Sequence, residues 1–209
     1  MNKSIIKFLF ILLGSTANAE TFNYDYIQAR IGTTSSTAID ELYTVEISKG
    51  IYKNIAVRGG FAYRNGDWLS SGSINEQSSR QFTAEVIFHK GVTSSTDFLV
   101  HLGYSNTDGK STYLTNNFTG KTITSSYAYN NIEHFGASLG IRQILGKSFE
   151  AEIHYAGIKA NANSDPTLNQ IHLSLMKNLS NNLSIGVNRR WNTNQSDFNQ
   201  SELVIRRNF

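Results

Sequence analysis

The stretch Gln-Phe-Thr-Ala-Glu-Val-Ile-Phe-His at residues 81–89 alternates between two kinds of side chain. Phe82, Ala84, Val86 and Phe88 fall on one side, and the positions between them are mostly polar. A period of two places successive side chains on opposite faces of a β-strand, whereas a helix would repeat every 3.6 residues. The stretch therefore predicts a strand with one apolar face.

The same alternation recurs along the chain in runs of about 9–12 residues, the length that a tilted strand needs to cross a bilayer. The predicted runs are 22–33, 42–52, 55–65, 80–90, 97–106, 132–144, 149–158, 168–177, 183–192 and 199–209. Ten segments of this length predict a transmembrane sheet.

The connections between the runs alternate in length. Those at 53–54, 91–96, 146–148 and 178–182 are short, whereas those at 34–41, 66–79, 107–131, 159–167 and 193–198 are mostly longer and polar. Short periplasmic turns and longer extracellular loops are typical of membrane β-barrels. The predicted fold is all-β: an antiparallel up-and-down transmembrane β-barrel of ten strands.

The first nineteen residues resemble an export signal. Lys3 and Lys7 flank a short apolar run, and Ala17-Asn18-Ala19 offers small residues for cleavage before Glu20. We expect residues 1–19 to be a cleaved signal peptide and residues 20–209 to form the barrel. Removal of the two lysines lowers the formal charge from +3 to +1, which indicates no nucleic-acid partner.

The face opposite the apolar one carries charged residues and glycines, which suit a confined lumen. The predicted lumen ion network consists of Glu46, Arg58, Glu85, His101, Arg142, Glu152, His154 and Arg190. A narrow barrel fills its interior with side chains, and buried charges are paired. This favours an ion-paired plug, with a polar channel lining as the alternative.

Aromatic residues near the run ends predict girdles at the two membrane interfaces. They are Tyr24, Tyr26, Tyr43, Tyr52, Tyr63, Phe88, Phe98, Tyr104, Phe149, Tyr155 and Trp191.

The C-terminal run resembles the signal by which the barrel-assembly machinery recognises outer-membrane proteins. Leu203, Ile205 and Phe209 lie on one face of it, while Arg207 departs from the usual apolar pattern. Together with Tyr-Asp-Tyr-Ile at 24–27 and the hairpin rhythm that follows, the chain resembles the small OmpA-like and OmpX-like outer-membrane barrels of Gram-negative bacteria. The resemblance implies an outer-membrane location, and eight strands as the alternative count.

We expect a non-enzymatic role in envelope structure or in surface interaction such as adhesion or reception. The segment 107–131 alternates Thr and Tyr, which could extend a hairpin beyond the membrane and offer an adhesive edge. Its expected contact residues are Tyr113, Phe118, Tyr127 and Tyr129. The first alternative is a narrow pore for ions or small solutes.

The second alternative is a barrel enzyme acting on lipid A or peptides. His172 and Ser174 share a strand face as a base and a nucleophile would, as in lipid A deacylase barrels, but no acid can be assigned to orient the histidine. An omptin-like protease would need acidic pairs near a histidine, which the loop acids do not form.

The remaining expectations concern partners. The five histidines are scattered without metal-binding spacing, so no metal or cofactor is predicted. Expected partners are outer-membrane lipids and lipopolysaccharide, the barrel-assembly machinery and an extracellular ligand, with the protein itself a monomer.

Overall fold

The computed structural model describes residues 22–34, 41–70, 73–116, 122–160, 168–193 and 199–209. Its strands are β1 (Tyr26–Thr34), β2 (Glu41–Tyr52), β3 (Ile55–Ser70), β4 (Ser73–Thr93), β5 (Thr96–Asn116), β6 (Thr122–Leu145), β7 (Phe149–Ala160), β8 (Leu168–Asn178), β9 (Leu183–Asn192) and β10 (Gln200–Asn208). Each strand pairs antiparallel with the next, and β1 pairs with β10 from Tyr26↔Asn208 to Thr34↔Gln200, which closes the barrel. The predicted ten-stranded barrel is confirmed, and the eight-stranded alternative is wrong.

The outer wall of the barrel is apolar. Every strand carries a large hydrophobic side chain that is more than a third exposed, for example Leu139 on β6 at 57% and Leu203 on β10 at 64%. An apolar band that surrounds a closed sheet suits lipid, because closure satisfies the backbone hydrogen bonds that hydrocarbon cannot. None of the described residues belongs to a helix that could span a bilayer.

Four neighbouring strands are much longer than a membrane crossing needs. β4 and β5 have 21 residues each and β6 has 24, whereas β2 and β7 have 12. The prediction of loops at 66–79 and 107–131 is wrong for most of these residues, which continue the strands. We call residues 66–70, 73–79, 107–116 and 122–133 the outer extension.

Small residues on the inner wall make room for the polar side chains of the lumen. A Cβ atom at Gly60 would lie 2.9 Å from Cγ of Glu46, and one at Gly140 would collide with the ring of His154. Glycine weakens a strand, but at these positions it leaves space on the inner wall for the side chains of neighbouring strands.

The first strand begins later than the sequence predicts. β1 begins at Tyr26, not at residue 22, and residues 22–25 run across the end that holds the short turns. Tyr24 and Tyr26 are 8% and 4% exposed, so the prediction that they belong to an outward girdle is wrong. They fill the interior instead.

Candidate functional sites

One side of the inner wall carries a charged group on the adjacent strands β3, β4 and β5. The Arg58 guanidinium donates through Nε to Oε2 of Glu85 at 3.1 Å, and Nδ1 of His101 lies 3.4 Å from the same oxygen. Both Glu46 and Glu85 belong to the predicted network, and the structure pairs Arg58 with Glu85.

The other side carries a second group of charges on β6, β7 and β10. Arg142 donates through Nη2 to Glu150 at 2.8 Å, and its Nε lies 3.7 Å from Glu152, which also contacts His154. Arg206 donates to Oε1 of Glu150 at 3.0 Å. The two groups meet where the His101 and His154 rings lie 4.5 Å apart between centroids.

A third group of charged and polar side chains lies beside the pairing of β1 with β10 and is linked to the second group. The Glu46 carboxylate accepts from Arg30 and from Gln28, and Gln28 in turn accepts from Nε of Arg206 at 3.0 Å. Arg30 also lies 3.6 Å from Glu202. Five residues of these groups were missing from the predicted network, although the alternation places all of them on the inward-facing side of their strands. They are Gln28, Arg30, Glu150, Glu202 and Arg206.

Arg190 stands apart from these groups. Its Nη1 donates to the Gln200 side-chain oxygen at 2.8 Å, and among the described residues it has no carboxylate within 4 Å. Its buried Nε has no hydrogen-bond partner there. Of the eight predicted network residues, Arg190 is therefore the one that the structure does not bring to a charged partner.

Residues 22–25, which we call the strap, close the end of the lumen that holds the short turns. Tyr24 packs with Ala56, Ile87 and Leu99, and its ring stacks on His89 at 3.9 Å. Its hydroxyl donates to Asp97 at 2.8 Å, and burial raises the pKa of this phenol.

Arg142 ties the strap to the charge network. Its guanidinium lies 4.8 Å from the centroid of Phe22 and 5.0 Å from that of Tyr24, and it donates to the Asn23 carbonyl at 3.4 Å. Strap and network together form one continuous filling.

The expected surface contacts lie in or next to the outer extension. Tyr127 on β6 is 64% exposed. Backbone pairing places Tyr113 opposite Asn75 and Ser125, and Tyr129 opposite Gly109. Phe118 lies outside the described residues.

The C-terminal residues of the predicted assembly signal face outward. Leu203, Ile205 and Phe209 are 64%, 51% and 59% exposed on the lipid side of the barrel. Their recognition by the assembly machinery stays a prediction.

The residues of the enzyme alternative lie inside the barrel. His172 contacts the side-chain oxygen of Gln170 at 3.0 Å, and Ser174 is paired across the strands with Glu152. No group of three or more His, Asp or Glu side chains in the described part of the chain is arranged to bind a metal.

No known protein family matches the chain, and no characterised protein matches it in sequence. Solved structures do resemble its fold. The translocator domain of the autotransporter NalP from Neisseria meningitidis matches with a TM-score of 0.53 and 9% identity, over 99% of this chain and 96% of that one. The KdgM porin matches with a TM-score of 0.50 and 10% identity, over 88% of this chain and 99% of that one. The outer membrane protease OmpT from Escherichia coli matches with a TM-score of 0.46 and 11% identity, over 92% of this chain and 100% of that one.

The chain has the fold of an outer-membrane β-barrel, and its apolar belt suits that membrane. A likeness at these identities extends to the fold alone. Because a shared fold does not determine function, the specific role has to be argued from the sites of this chain.

Proposed function

We propose that this protein is a non-enzymatic outer-membrane barrel with a closed lumen, whose outer extension mediates surface interaction such as adhesion or reception. The observation that carries the proposal is the length of β3–β6. Beyond a crossing of about 10 residues, β4, β5 and β6 add about 35–45 Å of strand each at about 3.3 Å per residue.

The outer extension is a sheet and offers a defined surface. β2 begins at Glu41 opposite Asn65, and β7 ends at Ala160 opposite His134, so the extension reaches past both neighbouring strands. Extended segments of other proteins can pair with a sheet edge. Exposed tyrosines such as Tyr127 can pack against them. This supports a binding role for the extension over a purely structural one.

The filled lumen argues against the pore alternative. Paired charges line the inner wall and the strap seats Tyr24 and Phe22 at one end. An ion that entered would have to break buried ion pairs, each of which costs several kcal/mol when one partner is left unpaired.

The position of His172 and Ser174 argues against the lipid A deacylase alternative. Both side chains point inward, whereas a lipid substrate reaches the barrel from outside. We expect lipid A incubated with the refolded protein to keep its acyl chains, as measured by mass spectrometry.

The proposal includes the route to the membrane. Residues 1–19 would direct export and be cleaved, and Leu203, Ile205 and Phe209 would be read by the barrel-assembly machinery. Lipopolysaccharide would surround the outer half of the belt, and the barrel would act as a monomer.

Shortening the extension tests the function. Residues 112–126 are replaced by Asn-Gly, which joins the paired residues Ser111 and Tyr127 through a two-residue turn. Displayed on a non-adherent Gram-negative strain, the full protein should raise binding to matrix proteins or to host cells, and the shortened protein should not.

The control replaces 161–167, the residues between β7 and β8 in the chain, by Asn-Gly. It should keep the binding of the full protein. Equal binding by the full and shortened proteins, with both present at the surface, would show that the extension is not the contact surface.

A further inference from the structure

Basic residues lie within the border of the apolar belt at the end with the short turns, which is the periplasmic end in barrels of this kind. On four strands one basic residue stands between two exposed apolar residues of the outward-facing row, and the apolar residues that come after it are Ile51, Val92, Leu179 and Phe209. On β2 Lys49 follows Ile47, on β4 Lys90 follows Phe88, and on β8 Lys177 follows Leu175. Arg207 follows Ile205 on β10 in the same way.

Two lysines in the short turns complete the set. Lys53 precedes β3 and Lys147 precedes β7, and both are exposed. We call Lys49, Lys53, Lys90, Lys147, Lys177 and Arg207 the basic rim.

Acidic side chains do not balance the basic rim. Of the acids described at this end, Asp25 faces outward and contacts Lys49. Asp97 and Glu150 point inward and bind Tyr24 and Arg142. The outward charge at this end is therefore strongly positive.

The opposite end has no such excess. The acids in its outward-facing rows, among the described residues, are Glu41, Asp67, Glu76, Asp108 and Glu133, and the bases are Arg80, Lys110, Lys159 and Arg189. The near balance there shows that the basic rim is a local feature and not a consequence of composition.

Aromatic side chains hold two of the rim charges beside the belt. The Lys177 ammonium lies 5.9 Å from the ring centroid of Phe149, and that of Lys49 lies 5.6 Å from the centroid of Phe209. Long basic side chains with their stems on apolar surface and their charges at its border occupy the depth of lipid headgroups.

We propose that the basic rim binds anionic phospholipid headgroups of the periplasmic leaflet. A cluster of Lys and Arg next to a membrane-spanning surface attracts anionic lipids. Because four rim residues continue the lipid-facing phase, the fitting partner carries its negative charge directly beside hydrocarbon, as a phospholipid does. The inference does not depend on the role of the outer extension.

The test measures lipids retained by the full mature protein. Protein refolded into bilayers of phosphatidylcholine and phosphatidylglycerol is extracted in mild detergent, and the co-purifying lipids are quantified. Phosphatidylglycerol should be enriched about fivefold over the bulk ratio, and less in high salt because the charges are exposed.

Two matched variants remove four charges each. Lys53→Gln, Lys90→Gln, Lys147→Gln and Lys177→Gln together should return the retained lipids to the bulk ratio. Arg80→Gln, Lys110→Gln, Lys159→Gln and Arg189→Gln together should retain the enrichment of the unaltered protein. A heat-dependent gel shift verifies folding in each case.

Three results would overturn the proposal. The first is that the unaltered protein retains the two lipids at their bulk ratio. The second is that the rim variant keeps the phosphatidylglycerol enrichment. The third is that both variants lose this enrichment equally. Binding to purified peptidoglycan that needs the rim, without lipid enrichment, would assign the surface to the cell wall instead.

Discussion

Arg58 and Arg190 both lie in the lumen, but they differ in the charge of the group that they contact. Arg58 contacts the Glu85 carboxylate, whereas Arg190 donates to the amide oxygen of Gln200. Arg58→Ala leaves a buried carboxylate without its partner and should lower the free energy of unfolding by about 3 kcal/mol. Arg190→Ala removes a hydrogen bond to a neutral group and should cost about 1 kcal/mol. Urea unfolding in lipid vesicles, followed by tryptophan fluorescence, measures both values.

A double variant separates the stranded charge from the lost volume. Arg58→Ala combined with Glu85→Gln should recover part of the loss, because the uncompensated carboxylate is gone. Equal costs for the two single variants would contradict the assignment of the lumen as an ion-paired plug.

We expect Asp25 to give the barrel a pH-dependent stability, through contacts at the end with the short turns. The hydrogen bonds from Lys49 and from the Gly50 amide hold the pKa of this carboxyl below its ordinary value. A depressed pKa stabilises the folded state above the unfolded pKa of about 3.9, and this contribution is lost as the pH falls through the lower folded pKa. Asp25→Asn should therefore be less stable than the unaltered protein at neutral pH.

The difference between the two proteins should shrink as the pH falls below about 4, where the carboxyl becomes protonated. Unfolding midpoints across pH test this, since the other acids are common to both chains and cancel. A difference that is constant with pH would remove Asp25 as the titrating group.

At this scale the sequence predicted which face a residue occupies better than which partner it meets. Alternation assigns Glu46 and Arg58 to the inward face, but their partners depend on register and on the β1–β10 seam. Arg30 meets Glu46 across β1 and β2, and Arg206 reaches Glu150 across the lumen. Such contacts depend on side-chain reach, which a periodic pattern does not contain.

Among the elements, the strap is the clearest case of tertiary packing. Tyr24→Ala should destabilise the barrel by about 3 kcal/mol, because it empties a packed aromatic site. Tyr24→Phe keeps the packing and loses the hydrogen bond to Asp97, at a cost of about 1 kcal/mol. Tyr52→Ala is the control: Tyr52 lies at the same end with 77% of its surface exposed and should change stability by less than about 0.5 kcal/mol. Equal losses for Tyr24→Ala and Tyr52→Ala in equilibrium unfolding would refute the packing role.

The outer extension should be the least protected part of the sheet. Its strands lie beyond the belt, so their opening exposes little apolar surface and costs less than opening β1 or β10. Hydrogen exchange of the protein in bilayers should show faster exchange at 107–116 and 122–133 than at 97–105 and 134–144. Uniform protection along β5 and β6 would mean that the extension is anchored as firmly as the belt.

The number of strands and their membrane-facing sides followed from alternation, whereas the extension did not. Inside the membrane one face meets lipid and the other meets packed polar groups, so the pattern has period two. Beyond the belt both faces meet water, and segments such as 122–130 lose that contrast while keeping the β-prone Thr and Tyr residues. The strap was missed for a related reason, since an aromatic residue near a strand end suits a girdle as well as an interior site.

At the scale of the whole molecule, the side chains of the ten strands and the strap fill the interior of the barrel. A barrel of this width has little interior space left once charged side chains cross it. Arg58 with Glu85, Arg142 with Glu150 and Glu152, and the strap occupy successive parts of the lumen. This filling is the structural basis of the closed lumen that we propose.

Single-channel conductance tests that view directly. The refolded mature protein, 20–209, should give no discrete current steps in a planar bilayer, because the proposed plug would leave no continuous water path. Truncating Arg58, Glu85, Arg142 and Glu152 together to alanine removes the side chains that cross the lumen and should produce steps, provided that the heat-dependent gel shift shows a folded barrel. Silence from the first protein and steps from the second would attribute the closure to these side chains. Reproducible steps from the unaltered protein would mean that Glu46, Arg58 and Glu85 line an open path, and the pore alternative would then replace the closed barrel.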